Sequence, residues 1–389
     1  MKSTEWTVDI EPRLRDFLES LEKPEMQYSF LPCVSGVTPW GRDISLGFSC
    51  FALRVFCILG WWDELDNSSK QGWIDFINSF FVPSIKLQES GTISERVSGY
   101  VDISLNRCLN KRTYSGFLHS NPRTALSAGL RVLKESFKGT PRYSDRVIIA
   151  ETKQAIASLA EVGAASPEPF QEFPTSGADI VRYLSRFDWA KPWDAGGQAA
   201  TVAVFLNTEG PRFLQTTQLE DLVQTMSNYY RSLADPSTGA YFRGRQPTQR
   251  NLVNGAMKVI TALNWLGEPI HYPKQLIDTT LAALPKPEGC DLVDSIYVLY
   301  GCSLQTKYRR QSVIEYVKQL LELIRAHYNQ DGGFSYNIGC AQKWYYGAPI
   351  SKGLNESDLH GTFLLVWALS MIFKILEDIP GNTWNIIKP

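Results

Sequence analysis

Two aspartates open an apolar helix in the last third of the chain, and their spacing places them on one helical face. Asp291 and Asp294 follow a Pro/Gly stretch that ends at Gly289, and the residues after them are apolar at helical spacing. A carboxylate in a first helical turn is stabilised by free N–H groups and by the helix dipole, which accounts for one of the two aspartates. The other predicts acid–base chemistry, because a buried carboxyl can hold its proton near neutral pH.

A second polar start to an apolar helix lies near the C-terminus. Asp358 and His360 precede a run up to Met371 that is apolar almost throughout. If this helix and the one after Gly289 line one cavity, His360 faces Asp294 at its mouth, and we expect a hydrogen bond between the two side chains. The sequence therefore predicts three catalytic residues, which are Asp294, His360 and Asp291.

The helices that must position these residues are of two kinds. Asp43–Gly60 is apolar on nearly every side, and a helix of that kind must be surrounded by other helices. Leu219–Leu233 and Val313–Tyr328 are amphipathic, as expected of an outer layer. No stretch of five to eight residues alternates clearly between apolar and polar, so the predicted class is all-α.

Glycines after apolar helices indicate an internal repeat. Gly60, Gly163 and Gly267 each end such a helix, and we interpret the two nearly equal gaps as two units of roughly 50 residues each. Paired apolar and amphipathic helices then predict an (α/α)6 toroid of helical hairpins. We expect one domain over residues 1–389, with 1–40 as an N-terminal extension. An open helical solenoid is the alternative, although it would not need inner helices that are apolar on every side.

Charge and composition limit the classes of partner and the cellular location that we expect for this protein. The chain has 39 basic and 40 acidic residues, which gives no electrostatic case for nucleic acid or an anionic membrane. The N-terminus has no apolar leader, and the apolar run at 362–373 is interrupted by Lys374, so we expect no integral membrane segment. Seven cysteines without a CxxC pair favour a reducing compartment, and a cytoplasmic location is expected.

Over about residues 140–376 the chain resembles the terpene cyclase and protein prenyltransferase group, to which squalene cyclases belong. The resemblance rests on Leu292–Tyr300, on Asp358–Ser370 and on two Gly-aromatic turns. In prenyltransferase β subunits the matching stretches carry a zinc-binding Asp-x-Cys and a downstream zinc-binding His. Those ligands correspond here to Asp294 and His360.

Departures from the prenyltransferase pattern weigh against that activity. Ile296 stands where the family has its cysteine, so we expect no bound metal and no other cofactor. Asp291 and Glu288 stand where the family has basic residues for a diphosphate. The cyclase branch fits differently, since its DxDD acid motif resembles the run from Asp291 to Ser295, with Val293 in place of the middle aspartate. Asp294 or Asp291 would then serve as the acid.

The resemblance implies an isoprenoid cyclase-like enzyme that uses metal-independent acid–base chemistry in an aromatic-lined central cavity. Its substrate would be a small apolar molecule, and aromatic faces would stabilise cationic intermediates. We predict substrate contacts from polar and aromatic residues near the helix starts. They are Asp194, Trp193, Asn254, Tyr241, Phe242, Tyr297, Trp344, Asp358 and Trp367.

Two alternatives remain open at this stage. A carbohydrate-active enzyme would use paired carboxylates, such as Asp294 with Asp194 or Asp358, and aromatic platforms for sugar rings. A toroid without catalytic activity could instead bind a protein or a small molecule. Glu151 is predicted either in the cavity or on the outer face. Three histidines are expected in solvated positions, namely His119, His271 and His327.

Overall fold

The computed structural model describes residues 5–7, 9–89, 92–110, 143–377 and 384–389. Residues 103–110 are helical, and the predicted helix at 122–135 and His119 lie outside the described residues. In chain order the labelled helices are α1 (Ile10–Leu21), α2 (Pro39–Asp43), α3 (Leu46–Leu59), α4 (Trp61–Glu64), α5 (Asn67–Asn78), α6 (Tyr143–Glu161), α7 (Gly177–Ser185), α8 (Pro192–Thr208), α9 (Thr216–Leu233), α10 (Gln249–Leu266), α11 (Pro273–Leu281), α12 (Gly289–Gln305), α13 (Arg310–Arg325) and α14 (Leu359–Leu376).

Six of these helices form a closed inner ring. α3 packs on α6, α6 on α8, α8 on α10, α10 on α12 and α12 on α14, and α14 packs back on α3. Six amphipathic helices alternate with them in the chain and keep one face exposed, namely α1, α5, α7, α9, α11 and α13. The predicted all-α toroid is therefore confirmed, and the open solenoid is wrong for this chain.

The inner helices are apolar on all sides because they are covered on all sides. In α3 every residue but Phe56 is buried, and in α14 every residue is buried except His360 and Lys374. By length and composition α14 could cross a membrane, yet 89% of it is buried inside the ring. Gly60 and Gly267 end α3 and α10 in the left-handed conformation, with φ of 78° and 74°, as the sequence predicted.

The repeat is less regular than the glycine spacing indicated. α3 lies directly beside α6, so the stretch between Gly60 and Gly163 contributes one unit of the ring and not two. α8 begins at Pro192. At the first helical position, proline has a backbone φ that already suits a helix, and the N–H that it lacks would have no partner within the helix. Pro192 is therefore a favourable first residue for α8.

Three antiparallel strand pairs were not predicted. β1 (Glu22–Lys23) pairs with β2 (Met26–Phe30), β3 (Phe81–Glu89) with β4 (Thr92–Tyr100), and β5 (Trp344–Tyr345) with β6 (Ala348–Pro349). The β3–β4 hairpin follows α5. Pro83 and Gly99 interrupt its alternation, and register shifts interrupt its pairing, which is why a period of two was not recognised.

The inner helices run in one direction, since Arg250 and Asp291 pair near the starts of α10 and α12, and the last turns of α3, α6 and α10 all contact the C-terminal tail. Their N-termini therefore meet at one end of the ring, which we call the mouth. Pro192 at the start of α8 packs against Gly255 near the start of α10, in agreement with a parallel arrangement.

The C-terminal tail crosses the end of the ring opposite to the mouth. Asn385 donates its backbone N–H to the Ile58 carbonyl at 2.7 Å, and Lys388 donates its own to Glu161 Oε1 at 2.7 Å. Trp265 Nε1 donates to the Pro389 carbonyl at 2.8 Å. The tail thus connects the last turns of α3, α6 and α10.

Candidate functional site

Asp294 is a buried carboxyl whose oxygens accept no hydrogen bond in the described part of the chain. It lies in the second turn of α12, is 1% exposed, and has the Lys258 Nζ at 3.9 Å from Oδ1 as its ion-pair partner. Burial raises the pKa of this carboxyl to about 6, although Lys258 acts in the opposite direction. The side chain can therefore hold a proton at mildly acidic pH and release it near a cation.

Lys258 connects this acid to the rim of the mouth. It projects from α10, keeps about a quarter of its side chain exposed, and places its ammonium 5.9 Å from the centre of the Trp193 ring. Trp193 itself is 46% exposed in the first turn of α8. An exposed indole beside a buried acid is an arrangement that can hold a ring-shaped ligand.

His360 lies in the first turn of α14 and is held by a polar contact and by ring contacts with Phe51 and Tyr336. Its Nδ1 is 2.9 Å from Gln342 Oε1, and its ring stacks on Phe51 with centroids 4.5 Å apart. Because the amide oxygen can only accept, Nδ1 carries the proton and Nε2 keeps its lone pair. Burial, and after it the charge of Lys258, lower the pKa of His360 to about 3, so the imidazole is neutral at working pH.

The predicted hydrogen bond between Asp294 and His360 is wrong. Both Asp294 oxygens lack a hydrogen-bond partner among the described residues, and His360 Nδ1 is engaged by Gln342. Lys258 acts on both groups instead, since it forms the ion pair with Asp294 and lowers the pKa of His360. The catalytic roles of the two residues stay predictions.

Asp291, the third predicted catalytic residue, is fully engaged in a link between α10 and α12. Arg250 donates from Nε to Oδ2 at 2.6 Å and from a second guanidinium nitrogen to Oδ1 at 3.0 Å, and Asn254 donates to Oδ1 at 2.7 Å. Asn254, predicted to contact substrate, is the buried partner in this link. These bonds leave Asp291 less available than Asp294 for proton transfer.

Asp358 caps α14 and fixes the loop that carries Gln342. It accepts backbone N–H bonds from Gly361 and Tyr336 at 2.7 Å each and from Gln342 at 2.9 Å. Burial raises its pKa to about 6 in spite of these three bonds. Its contact with His360 is therefore indirect, through the position of Gln342.

The predicted aromatic contacts fall in three places. Trp193 and Trp344 are at the surface with 46% and 49% exposure, and Asp194 is exposed beside Trp193. Tyr297 and Trp367 pack together deep in the ring, with centroids 5.2 Å apart. The remaining two are Tyr241 and Phe242, whose printed contacts are with the outer layer.

Those two residues belong to the turn between α9 and α10. Tyr241 is buried and its hydroxyl is 3.2 Å from His271 Nδ1, just before α11 in the outer layer. Phe242 donates its backbone N–H to the Leu233 carbonyl at the end of α9. The structure thus places Trp193 and Asp294 beside Lys258, whereas Tyr241 and Phe242 form hydrogen bonds with outer-layer residues.

The burial of Glu151 and of His327 tests two further expectations from the sequence. Glu151 is buried, so the outer-face alternative is wrong, and its Oε1 accepts a hydrogen bond from the Tyr345 hydroxyl at 2.6 Å. Burial raises the pKa of Glu151 to about 8. His327, expected in solvent, is fully buried with Nδ1 2.8 Å from the Ser335 carbonyl.

Three cations in the inner ring were missed by the sequence interpretation. They are Arg54 on α3, Lys153 on α6 and Lys258 on α10. Arg54 is the one basic residue of α3, whereas Lys153 and Lys258 are separated by seven and eight positions from the other basic residue of their helices, Arg146 and Arg250. That isolation is a usable signal, because a cation placed in an inner helix must have a partner or face a cavity. Among the described residues no group of three or more His, Cys, Asp or Glu side chains is arranged to hold a metal ion.

Comparisons with known proteins add a distant structural likeness. No protein-family model and no curated protein matches the sequence. Among solved structures, one that matches is described as a possible member of the GH105 family from Salmonella enterica subsp. enterica serovar Paratyphi A. It has 11% sequence identity and a TM-score of 0.40, and the match covers 94% of each chain. The class defined by the helix contacts themselves is an α/α toroid with titratable side chains at the mouth.

Proposed function

We propose that this protein is an enzyme that performs acid–base chemistry at the mouth of the ring on a polar, carbohydrate-like substrate. The observation that carries the proposal is Asp294, a buried carboxyl with a pKa of about 6 whose oxygens accept no hydrogen bond from the described residues. A carboxyl that costs free energy to bury and makes no structural hydrogen bond is suited to donate its proton to a leaving oxygen.

The neighbours of Asp294 support this role. Once Asp294 has given up its proton, the Lys258 ammonium at 3.9 Å stabilises the carboxylate that remains. His360, neutral and with Nε2 free to accept, is suited to orient a hydroxyl group or a water molecule. Trp193 offers an exposed ring face on which a sugar can stack.

An isoprenoid cyclase is the second candidate. The aromatic side chains of Phe51, Phe363, Trp367 and Tyr297 favour it, because they form a contiguous cluster inside the ring. Lys258 counts against it, since an ammonium next to the proton donor would raise the energy of a carbocation formed there. We therefore prefer the polar substrate.

The test uses Asp294→Asn, which keeps the shape of the side chain and removes its proton. On glycosides with poor leaving groups we expect turnover to fall by about 10²–10⁴-fold, the usual contribution of a general acid. Aryl glycosides with acidic phenol leaving groups should lose less, because they need less protonation. The thermal midpoint should stay the same or rise, since a buried carboxyl without hydrogen bonds is removed.

Asp221→Asn is the matched control, because Asp221 is an exposed aspartate on α9. Its turnover should equal that of the wild type. Equal turnover of Asp294→Asn and wild type on every substrate would overturn the role of Asp294. Cyclisation of an acyclic isoprenoid by the wild type, lost in Asp294→Asn, would select the second candidate.

A further inference from the structure

We propose that Gln342 is a positioning residue, which holds the His360 imidazole with its proton on Nδ1 and leaves the Nε2 lone pair available to the substrate. Asp358 is the residue that keeps Gln342 in place. The inference rests on the proposed function, in which His360 orients a hydroxyl group or a water molecule. It adds two residues that act on the substrate only through His360.

One carboxylate fixes the surroundings of His360 through three backbone contacts. Asp358 Oδ1 accepts the N–H of Gly361 at 2.7 Å, and Oδ2 accepts those of Tyr336 at 2.7 Å and of Gln342 at 2.9 Å. Gly361 follows His360 in α14, whereas Tyr336 and Gln342 are the loop residues whose side chains contact the His360 ring. Asp358 therefore fixes both the helix start that carries His360 and the loop residues that hold it.

Gln342 is held at both ends of its backbone. Its N–H donates to Asp358, and its carbonyl accepts a hydrogen bond from the Ser351 hydroxyl at 2.7 Å. The Gln342 Oε1 then lies 2.9 Å from His360 Nδ1. Because the backbone is already fixed, this side-chain bond costs less conformational entropy than it would in a free loop. The acceptor is therefore in place before a substrate arrives.

Two aromatic rings fix the plane of the imidazole. Phe51 stacks on it with centroids 4.5 Å apart and an interplanar angle of 11°, and Tyr336 does so at 5.5 Å and 26°. Gly361 lets the loop lie this close to α14, since a Cβ there would collide with the Tyr336 backbone. With the plane set by stacking and Nδ1 engaged, Nε2 is the polar atom of the ring that forms no hydrogen bond among the described residues.

An amide at position 342 keeps the ring neutral. A carboxylate in its place would favour the imidazolium, since an opposite charge at hydrogen-bond distance raises the pKa of a histidine. The Gln342 amide selects the Nδ1–H tautomer without adding a charge. His360 then stays an acceptor at Nε2, as the orientation of a hydroxyl group or a water molecule requires.

The tautomer of His360 can be measured by NMR on the full-length protein labelled with 15N-histidine, without any substrate. The chain has four histidines, and the signals that are lost in His360→Gln are those of His360. At pH 7 we expect a protonated Nδ1 and an unprotonated Nε2. The opposite tautomer would overturn the proposal, because the Gln342 amide would then have to donate to Nδ1.

Two substitutions of Gln342 should change the imidazole in different ways. Gln342→Met keeps the length of the side chain and removes the acceptor, so His360 should lose its preference for the Nδ1–H tautomer. Gln342→Glu should raise the pKa of His360 by about one unit or more, through the added negative charge. An unchanged tautomer in Gln342→Met, or an unchanged pKa in Gln342→Glu, would overturn the role of Gln342.

Two references show whether these effects are specific to His360. Gln319→Glu adds the same charge on the outer helix α13, where Gln319 is exposed, and should leave the His360 signals unchanged. His327 donates from Nδ1 to the Ser335 carbonyl at 2.8 Å and should keep this tautomer in every variant. An equal change at His327 and His360 in Gln342→Met would contradict the proposal, since Gln342 would then support the whole loop and not one ring.

Turnover of the glycosides used for Asp294→Asn connects the tautomer to the reaction. Gln342→Met should lower kcat by about tenfold to a hundredfold, the usual effect of losing a residue that orients a catalytic group. Because Gln342 acts only through His360, the double variant His360→Ala/Gln342→Met should be no slower than His360→Ala. Additive losses in the double variant would disprove positioning through His360.

The two measurements separate this inference from the proposed function. If no glycoside is turned over, the proposed function fails, and the tautomers of wild type and Gln342→Met still decide whether Gln342 holds His360. If Asp294→Asn loses turnover while Gln342→Met keeps the turnover and the tautomer of the wild type, the proposed function stands and the role of Gln342 is disproved.

Discussion

Asp291 and Asp294 are one helical turn apart on α12, and they differ in the donors that surround them. Asp291 has Arg250 and Asn254, and it accepts three hydrogen bonds from them. Asp294 has only an ammonium at 3.9 Å and no hydrogen bond among the described residues. The same residue type therefore links two helices in one turn and is available as an acid in the next.

The pH dependence of turnover tests this difference between the residues. A general acid must be protonated, so kcat should fall as the pH rises through about 6, the pKa of Asp294. His360, with a pKa of about 3, stays neutral over this range and should add no change near pH 6. Asp291, Arg250 and Lys258 are the other charged groups near Asp294.

The measurement is a kcat profile from pH 4.5 to 8.5, with the thermal midpoint recorded at each pH. Lys258→Met removes the cation that lowers the Asp294 pKa, so the fall in kcat should move to higher pH in that variant. A profile that rises between pH 5 and 7, or one that Lys258→Met moves to lower pH, is incompatible with Asp294 as the acid.

At the scale of elements, the β5–β6 hairpin inserts a side chain between α3 and α6. Tyr345 donates to Glu151 on α6, and its hydroxyl lies against Gly47 on α3. Gln154 on α6 donates to the Gly47 carbonyl at 3.0 Å, which ties the same two helices. The absence of a side chain at Gly47 is what leaves room for the tyrosine.

Gly47→Ala tests the insertion, because an added Cβ would collide with the Tyr345 hydroxyl. We expect the free energy of unfolding to fall by about 1–3 kcal/mol, the usual cost of overpacking. Gly197→Ala is the matched control, since Gly197 is also helical and has open space around its Cβ position. It should be neutral or stabilising by up to about 1 kcal/mol. Equal stabilities of the two variants in urea unfolding would contradict the insertion.

Most helices, and whether each is inner or outer, could be predicted from the sequence. The reason is that the distribution of apolar residues around a helix depends on how many of its sides are covered by other helices. Helices apolar on every side had to be inner, and Gly60 and Gly267 marked two of their ends. Side-chain pairing could not be predicted. Gln342 engages His360 from a loop 18 residues earlier in the chain, where no sequence pattern marks the pair, and single cations such as Arg54 carry no motif. The polar contacts could therefore be identified only from the three-dimensional structure.

At the scale of the whole molecule, the chain forms a ring that its own last residues help to close. Residues 384–389 hydrogen-bond to the final turns of α3, α6 and α10, and Trp384 packs on Phe373 in α14 with centroids 5.2 Å apart. Four of the six inner helices are thus joined by one short segment. Such a link opposes separation of the first helices of the ring from the last.

Deletion of residues 384–389 should therefore lower the thermal midpoint by several degrees, through lost hydrogen bonds and the exposed face of Phe373. Asn385→Ala is the matched control, because it removes only the side-chain bond to the Cys57 carbonyl and keeps the backbone bond to Ile58. Its effect should be clearly smaller. If scanning calorimetry gives the same midpoint for the deletion and the full chain, the tail does not hold the ring together.

The tail also affects how a substrate would enter the ring and how a product would leave it. Under the proposed function, substrate and product would both pass through the mouth, because residues 384–389 cross the other end of the ring. A bound product then blocks the next substrate until it backs out, so inhibition by product should be competitive.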